Sequence, residues 1–323
     1  MAGVLVFGDT IGGTLAPASL EMAVAGAALA QVLNEPLLGA LIGDGLDAAA
    51  AEFTGGFTTL HLLEGKHLRP YTARSAIAAA RAVIDACQPS VVLFPHTLET
   101  REWVPRLAAM LDTGLVMDCT ALAAEGSDLV VSKPVYGGGV VGQYVVRGAT
   151  RLVTVRTGVF EGRAGAASAS VNKIAVAEPA SGRVTLIDEQ KVQAQGGVRL
   201  KDATTIVSGG RGLGGPDNWH YIEEAAAAIG GAVGCSRPVA DSGWVSSAHQ
   251  VGLSGTSVKP ALYIAVGISG AVQHLAGISN SSTVVAINVD GDADMFTRAN
   301  YGVIGDYREV LPGFVARAKQ LRG

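Results

Sequence analysis

Short apolar segments alternate with helical segments along most of the chain, and this alternation limits the possible folds more than any other feature. In the first part, the apolar segments are 3–8, 37–43, 58–63 and 90–95, and the predicted helices are 17–33, an alanine-rich segment near 48–51, 71–87 and 101–111. Apolar strands that are separated by helices are typical of a parallel sheet with helices on both faces. This part of the chain is therefore predicted to form an α/β domain.

The pattern changes after Gly114. The apolar segments 129–136, 140–147 and 151–160 follow one another with glycine turns and no helix, so we expect further strands that complete the first domain. From about 161 to 200 the chain is rich in Ala, Gly, Ser, Glu and Gln, and it contains one weak strand candidate at 183–188. Such a composition is typical of a linker.

A second series of strands and helices follows this linker. Its predicted strands lie within 204–210, 232–237, 262–268, 283–288 and 301–306, and its predicted helices are 216–229 and 311–321. A chain of 323 residues has room for two domains. We therefore predict an α/β protein with two domains, each a mostly parallel sheet flanked by helices. The first domain is expected to comprise residues 1–195 and the second residues 196–323.

Charged residues are scarce and unevenly distributed. They make up 16% of the chain, and none lies between Pro260 and Val289. A membrane-spanning helix needs about 20 continuous apolar residues, but glycines, Gln273 and His274 interrupt this uncharged segment. The N-terminus reads directly as a strand and lacks the features of a secretion signal. The sequence therefore predicts a cytoplasmic protein with no membrane insertion.

The remaining composition excludes several other classes. The net charge is −4 and no basic stripe is present, which argues against a nucleic-acid partner. Three cysteines lie far apart without a CxxC pair, so neither a disulfide framework nor a metal site is expected. A hydrophobic content of 49% argues against intrinsic disorder.

The segment 210–215 fits the pattern G-x-G-x-x-G between a predicted strand and a predicted helix. Backbone N–H groups in such a loop can bind a diphosphate. However, Arg211 fills the first variable position, and no acidic residue occurs about 20 residues on, where a ribose-binding carboxylate is expected. An NAD(P)-dependent oxidoreductase that uses this loop is therefore kept as an alternative function.

Two further segments carry polar side chains that could bind a ligand. Ser254-Gly255-Thr256 follows Gln250-Val251-Gly252, and these groups could bind the edge of a heteroaromatic ring or simply form a solvated turn. The uncharged segment 262–288 reads as a buried strand, a glycine turn, a short helix that opens near Ala271, a loop and a second buried strand. A histidine inside such a segment is more often a core residue than a functional one.

The segment 262–288 resembles the signature of the electron transfer flavoprotein alpha subunit. The matching residues are Leu262, Tyr263, Ile268, Ser269, Gly270, Gln273, His274, Gly277, Ala286, Ile287 and Asn288. Further motifs of this family occur in order, at 208–212, 233–237, 241–243, 250–252 and 301–306, and weaker ones in the first domain at 133–136 and 154–157. The resemblance covers the whole chain and is strongest from Thr204 onward.

The resemblance implies an electron carrier that is not itself an enzyme. In that family an alpha subunit pairs with a beta subunit, which is expected to hold AMP or a second nucleotide. The first domain would be nucleotide-hydrolase-like and would contact the beta subunit, and the second would bind FAD in a Rossmann-like fold. Electrons would pass from flavoprotein dehydrogenases, such as the acyl-CoA dehydrogenases of fatty acid β-oxidation, through a stabilised anionic semiquinone to a quinone oxidoreductase. A third reading is a structural subunit that has lost its flavin.

The resemblance also implies which residues contact the cofactor. They are Arg211, Ser236, Arg237, Gln250, Val251, Gly252, Leu253, Ser254, Ser269, Gly270, Ala271, Val272, Gln273, His274, Asn288 and Asp306. By the resemblance, Arg237 would lie against the isoalloxazine ring, Ser254 would bond its N5 edge and His274 would lie near the C2 carbonyl. Residues 269–273 would hold the diphosphate, and Asn288 and Asp306 the adenosine end.

An added electron on a flavin is stabilised by positive charge or N–H donors near N1 and the C2 carbonyl. On this argument either Arg237 or a protonated His274 would set the potential. The sequence departs from the family pattern at a few positions: Leu253 replaces Gln, Ser254 replaces Thr, Val289 replaces Lys and Asn300 replaces Asp. The hydroxyl at position 254 is kept, with a freer rotamer than threonine would have.

Overall fold

The computed structural model describes residues 3–53, 56–163, 169–178, 184, 187, 188, 200–279 and 281–322. The chain divides into two compact units, Met1–Glu189 and Gln190–Gly323. Each unit has its own hydrophobic core. The boundary that the sequence predicts, between residues 195 and 196, lies outside the described residues.

The first unit is built on a parallel sheet of seven strands in the order β12-β5-β4-β1-β6-β11-β7. Its strands are β1 (Val4–Phe7), β2 (Thr10–Ile11), β3 (Thr14–Leu15), β4 (Leu37–Gly43), β5 (Thr59–Glu64), β6 (Val91–Pro95), β7 (Leu115–Cys119), β8 (Ala121–Glu125), β9 (Asp128–Val135), β10 (Val140–Val146), β11 (Arg151–Val155) and β12 (Ser170–Ala175). Its helices are α1 (Pro17–Leu33), α2 (Asp47–Glu52), α3 (Ala73–Cys87) and α4 (Leu98–Met110).

Helices cover both faces of this sheet. On one face, Met22 and Leu29 of α1 pack with alternate residues of β1, and on the other face Ile77 of α3 and Trp103 of α4 pack with the remaining ones. All four residues of β1 are buried, as expected for a strand with helices on both sides. Side-chain caps from Thr72 and Thr97 begin α3 and α4. The predicted α/β architecture is confirmed.

Two features of the first unit differ from the predictions. β8, β9 and β10 form a separate antiparallel sheet and do not extend the parallel one. The sequence predicts β9 and β10 as strands but not β8. Strand β12 lies inside the predicted linker and pairs in parallel with β5 along its whole length. The sequence does not single out β12, because this edge strand is mostly exposed and its residues, Ser-Val-Asn-Lys-Ile-Ala, form no continuous apolar segment. The strand candidate 183–188 lies largely outside the described residues.

The second unit contains a parallel sheet of five strands in the order β14-β13-β15-β16-β17. Its strands are β13 (Thr205–Gly209), β14 (Ala232–Cys235), β15 (Leu262–Val266), β16 (Thr283–Asn288) and β17 (Tyr301–Ile304). Its helices are α5 (His220–Ile229), α6 (Arg237–Asp241), α7 (Val272–Gly277) and α8 (Tyr307–Arg322). The predicted helix at 216–229 is divided into a single 3₁₀ turn at Pro216–Asn218 and α5.

The strand order of the second unit determines where a ligand can bind. From β13 the chain continues to β14 on one side and then returns to β15 on the other. At such a reversal, the loops that follow the two central strands diverge and leave a crevice beyond their carboxyl ends. The loops in question follow β13 and β15, and they begin at Gly210 and Gly267. These are the glycine-rich segments that the sequence singles out.

Candidate functional site

A cleft of about 620 Å³ opens at this position. It is lined by Arg211, Gly212, Ser236, Arg237, Pro238, Gln250, Val251, Gly252, Ser254, Gly267, Ile268, Ser269, Ala271, Gln273, His274, Asn288 and Asp290. Cofactor sites usually have volumes of about 300–1,000 Å³ and are lined by apolar groups with a few convergent polar ones. The cleft therefore has the size and character of a cofactor site.

Most of the residues that the sequence singles out are brought together here. Those that do not line the cleft are Leu253, Gly270, Val272 and Asp306. Five further residues line the cleft that were not among the predicted cofactor contacts: Gly212, Pro238, Gly267, Ile268 and Asp290. Each of them lies within two positions of a predicted contact. Their position beside predicted contacts could have identified them, because their side chains carry little chemistry of their own apart from the carboxylate of Asp290.

The glycines at 210 and 212 allow two backbone segments to touch. A Cβ atom on Gly210 would lie 2.1 Å from the carbonyl oxygen of Gly267, and one on Gly212 would lie 2.8 Å from the same oxygen. The N–H of Gly210 donates to Val266 O at 2.8 Å, and that of Gly212 donates to Gly267 O at 3.0 Å. Both N–H groups therefore already donate hydrogen bonds within the protein. The loop does not present them to a diphosphate as an NAD(P) fingerprint would.

The turn after β15 presents free donors instead. The N–H groups of Ser269, Gly270 and Ala271 donate no hydrogen bond to other described residues. Gly270 has φ +91°, and a Cβ atom there would lie 2.2 Å from the backbone nitrogen of Met295, so only glycine fits. The side-chain amide of Asn288 donates to Ile268 O at 3.1 Å and holds the turn against β16. Successive unpaired N–H groups at a turn favour a bound anion.

Gln250 and Ser254 form a second polar pair on the opposite loop. The Gln250 Nε2 amide donates to Ser254 Oγ at 2.8 Å. Because one lone pair of the hydroxyl is taken by this bond, the hydroxyl proton remains available to a ligand acceptor. Gly252, with φ +144°, allows this loop to pack against the backbone of Gln273. Leu253 donates its N–H to Gln273 O at 3.0 Å, and the residue is 43% exposed and does not line the cleft.

His274 is buried beneath the cleft. Its Nε2 lies 2.9 Å from the hydroxyl oxygen of Tyr263, a fully buried residue of β15. Burial lowers the pKa of His274 to about 4, and an interaction with the backbone of Val251 opposes this effect only in part. The imidazole is therefore neutral near pH 7. In the chain without a ligand, the positive charge of the cleft therefore comes from its arginines.

The positive charge of the cleft lies at its rim. Arg237 begins α6 directly after Ser236, and its Nε lies 3.2 Å from Oδ2 of Asp241 one turn later. The Arg237 side chain is 66% exposed, so this ion pair contributes little to stability. Arg211 is likewise exposed and lines the cleft. Both guanidinium groups are therefore free to turn toward a ligand.

Asp306 lies outside the cleft and has other partners. Its carboxylate accepts two hydrogen bonds from the Arg308 guanidinium, at 2.7 and 3.0 Å, and one from the Arg308 backbone N–H at 2.9 Å. These hydrogen bonds from Arg308 lower the pKa of Asp306. The carboxylate thereby caps the start of α8. Asp306 shares with Asn288 the carboxyl edge of the sheet, since Gly305 donates to Asn288 O at 3.0 Å.

The cleft holds polar atoms that lack partners. Ser236 Oγ and His274 Nδ1 are buried side-chain atoms of the lining, and neither has a hydrogen bond within the described part of the chain. Buried polar atoms in native proteins are normally paired, so such atoms at a cleft indicate a polar ligand. Together with the free N–H groups of 269–271 and the arginines, they fit a dinucleotide cofactor that carries a diphosphate and a heteroaromatic ring. Among the described residues, no group of three or more metal-binding side chains is present, and no helix is long and apolar enough to cross a membrane.

The fold and the cleft define a class: a two-domain α/β protein whose second domain carries a cofactor-sized cleft at the switch point of a parallel sheet. Residues 4–179 match the model of the electron transfer flavoprotein domain, and residues 199–279 match that of the electron transfer flavoprotein FAD-binding domain. The chain belongs to the electron transfer flavoprotein alpha subunit family.

Curated relatives match along almost the whole chain. The electron transfer flavoprotein subunit alpha of Thermoanaerobacterium thermosaccharolyticum is 35% identical, over 99% of this chain and 98% of the relative. That of Bacillus subtilis is 34% identical, over 98% of both chains. The LctC subunit of an NAD(+)- and ferredoxin-dependent lactate dehydrogenase from Acetobacterium woodii is 34% identical, over 96% of this chain and 75% of that protein. The relatives therefore include both subunits named as electron carriers and a subunit of a dehydrogenase complex.

Proposed function

We propose that this chain is the FAD-holding subunit of a heterodimeric electron carrier. The observation that supports this best is the cleft itself, which combines unpaired buried polar atoms, free N–H donors and two exposed arginines in a segment matching an FAD-binding domain. Bound FAD would supply one-electron chemistry, which no side chain of the cleft can provide. The protein would bind FAD, orient it and tune its potential.

The proposed contacts follow the loops of the cleft. The N–H groups at 269–271, together with Val272 and Gln273, would hold the diphosphate. Arg237 would lie against the ring system, with Ser236 and Arg211 beside it. The remaining proposed contacts are Gln250, Val251, Gly252, Leu253, Ser254 and His274 on the ring side and Asn288 and Asp306 on the adenosine side.

The polar groups of this chain would have different tasks. Ser254, held by Gln250, would donate its hydroxyl proton to the N5 edge of the ring. His274 would contribute a neutral N–H donor near the C2 carbonyl. Arg237 would contribute the positive charge that favours an added electron. A unit charge at about 4 Å contributes on the order of 4 kcal/mol at an effective dielectric constant near 20.

We propose that the carrier functions with protein partners and has no substrate turnover of its own. It would pair with a beta subunit that holds AMP or a second nucleotide. It would accept electrons from flavoprotein dehydrogenases, such as those of fatty acid β-oxidation, and pass them to a quinone oxidoreductase. The cytoplasm is the proposed location. The family relatives named as carrier subunits support this reading. The N–H groups of Gly210 and Gly212 already donate hydrogen bonds within the protein, which argues against the NAD(P)-dependent alternative.

Co-expression with a candidate beta subunit, followed by a visible absorption spectrum, tests the proposal. The expected preparation is yellow, contains FAD, and passes through a red anionic semiquinone on partial reduction. A colourless preparation that binds NADH would contradict the proposal and favour the alternative. A colourless preparation that binds neither would indicate a structural subunit.

A pair of variants locates the cofactor in the cleft. Ala271→Trp places a large side chain in the lining and is expected to abolish FAD binding. Ala227→Trp makes the same change at an exposed position of α5 outside the lining and is expected to retain FAD. Equal FAD content in the two variants would move the cofactor site elsewhere.

A further inference from the structure

The contact between Tyr263 and His274 joins two elements of the second unit. Tyr263 lies on β15 and is fully buried, and His274 lies in the first turns of α7 and is 6% exposed. The distance of 2.9 Å between the Tyr263 hydroxyl oxygen and His274 Nε2 is that of a well-formed hydrogen bond. Tyr263 itself does not line the cleft. Any effect that it has on a ligand must therefore pass through His274.

The chemistry of the two groups determines which one donates. Burial raises the pKa of Tyr263, so the phenol keeps its proton, and burial keeps His274 neutral. A neutral imidazole has one N–H donor and one strong acceptor nitrogen, whereas a phenol oxygen is a good donor and a weak acceptor. The favourable arrangement is therefore Tyr263 O–H donating to Nε2. The single ring proton of His274 is then on Nδ1.

The neighbouring Ser208 hydroxyl favours the same direction. It is buried next to Tyr263, lacks a hydrogen bond of good geometry among the described residues, and lowers the pKa of the phenol, as a donor to its oxygen would. A phenol oxygen that accepts from Ser208 keeps its own proton for donation to Nε2 of His274. The ring proton of His274 is then on Nδ1, which has no hydrogen-bond partner among the described residues.

We propose that Tyr263 is a positioning residue that fixes His274 in the tautomer with its proton on Nδ1, so that the imidazole acts toward the cleft as a neutral hydrogen-bond donor. His274 Nδ1 is the buried ring nitrogen that lacks a hydrogen bond within the described chain. A fixed donor suits the C2 carbonyl oxygen of a flavin, which is a hydrogen-bond acceptor. The part of this inference that concerns the flavin rests on the proposed function, whereas the tautomer of His274 does not.

Nitrogen NMR of the alpha–beta complex with ¹⁵N-labelled histidine tests the tautomer directly. The His274 signals would be assigned by their loss in His274→Gln. In the unchanged protein at pH 7, Nδ1 is expected to give the signal of a protonated ring nitrogen and Nε2 that of a hydrogen-bonded acceptor. A proton on Nε2, an equal mixture of tautomers or a charged ring would overturn the inference.

Tyr263→Phe removes the hydroxyl and little else. It is expected to move the Nε2 signal to that of an unbonded nitrogen, and to shift the potential for the first electron to lower values while FAD remains bound. Tyr307→Phe is the matched control, because Tyr307 is also buried in this unit but its hydroxyl donates to Leu213 O at 2.8 Å. It should leave both His274 signals and the potential unchanged.

The two proposals fail in different ways. Unaltered His274 signals in Tyr263→Phe would overturn the role of Tyr263 even if the complex binds FAD. A change of the signals without any change of potential would likewise remove the positioning role. A complex without flavin would contradict the proposed function, whereas the tautomer in that same flavin-free complex would still decide whether Tyr263 orients His274.

Discussion

The hydroxyl oxygen of Tyr263 lies 2.9 Å from Nε2 of His274, and both side chains are buried. This hydrogen bond holds α7 to the central strand of the sheet, directly beneath the cleft. Because burial keeps the imidazole neutral, the positive charge of the site comes from the exposed arginines of the rim. The interior of the cleft therefore supplies hydrogen bonds, and the rim supplies charge. Substitutions in the interior of the cleft and substitutions at its rim should therefore have different effects.

Replacement of His274 is expected to lower the potential for the first electron while FAD stays bound. His274→Ala removes one donor near the ring, but the N–H groups of 269–271 and Ser236 are retained. Redox titration of the complex measures the potential, and the FAD-to-protein ratio measures binding. An unchanged potential would remove His274 from the role proposed for it.

The stability of the protein should also depend on His274 at acidic pH. The pKa of His274 is about 4 in the folded protein and 6.5 in the unfolded chain, so the unfolded state binds the proton more readily. The corresponding stability is fully present above pH 6.5 and is lost as the pH falls toward 4. The loss over this range is about 3 kcal/mol. The free energy of unfolding, measured by chemical denaturation at several pH values, should fall less between pH 6.5 and 4 for His274→Gln than for the unchanged protein.

Replacement of Ser254 should change electron chemistry more than cofactor affinity. Ser254→Ala removes the hydroxyl that Gln250 orients, and it leaves the buried Gln250 amide without its partner at 2.8 Å. The expected result is a lower yield of the one-electron-reduced form on partial reduction, with FAD content close to that of the unchanged protein. Ser254→Thr keeps the hydroxyl and serves as the control. Wholesale loss of flavin in Ser254→Ala would contradict this ordering.

The elements of the fold could be predicted well from local patterns. Helix α1 has the predicted bounds, Pro17–Leu33, and most strands of the two parallel sheets coincide with predicted apolar segments, whereas β7 and β12 do not. Pairing was harder to predict. The apolar pattern did not show that 129–136 pairs with its chain neighbours β8 and β10 in an antiparallel sheet. Strand β12 is held mainly by its pairing with β5, and of its side chains only Ile174 is partly buried against the core.

The loops of the site were predictable for a related reason. The family motifs fall after β13, β14 and β15, whose carboxyl ends share one edge of the sheet. Protonation was not predictable, because the charge of His274 depends on how deeply α7 packs. Tyr263 matches the family signature but reads as a core residue of an apolar strand, and the sign of a further role is that a buried phenol needs a hydrogen-bond partner.

The rim charge can be tested through Arg237. Arg237→Ala is expected to lower the potential for the first electron, by on the order of 100 mV or less, because solvent screens a side chain that is 66% exposed. Arg237→Lys keeps the charge and should lower this potential less. Asp241→Asn removes the partner of Arg237 and should raise the potential slightly. Because the pair is exposed, these effects should decrease as salt is added. If Arg237→Ala lowers the potential by the same amount at all salt concentrations, Arg237 is in a buried contact.

The glycine loop offers a test that separates close packing from diphosphate binding. In Gly210→Ala, the new Cβ would lie 2.1 Å from the carbonyl oxygen of Gly267, so the loops after β13 and β15 must move apart. The expected cost is about 1–3 kcal/mol of stability, accompanied by weaker FAD binding. In Gly215→Ala, nothing lies within 4 Å of the new atom, and stability and FAD binding should be unchanged. If the loop bound a diphosphate as an NAD(P) fingerprint does, the last glycine of the motif would matter as well. Equal losses in the two variants would therefore favour the dinucleotide-fingerprint reading over the packing role described here.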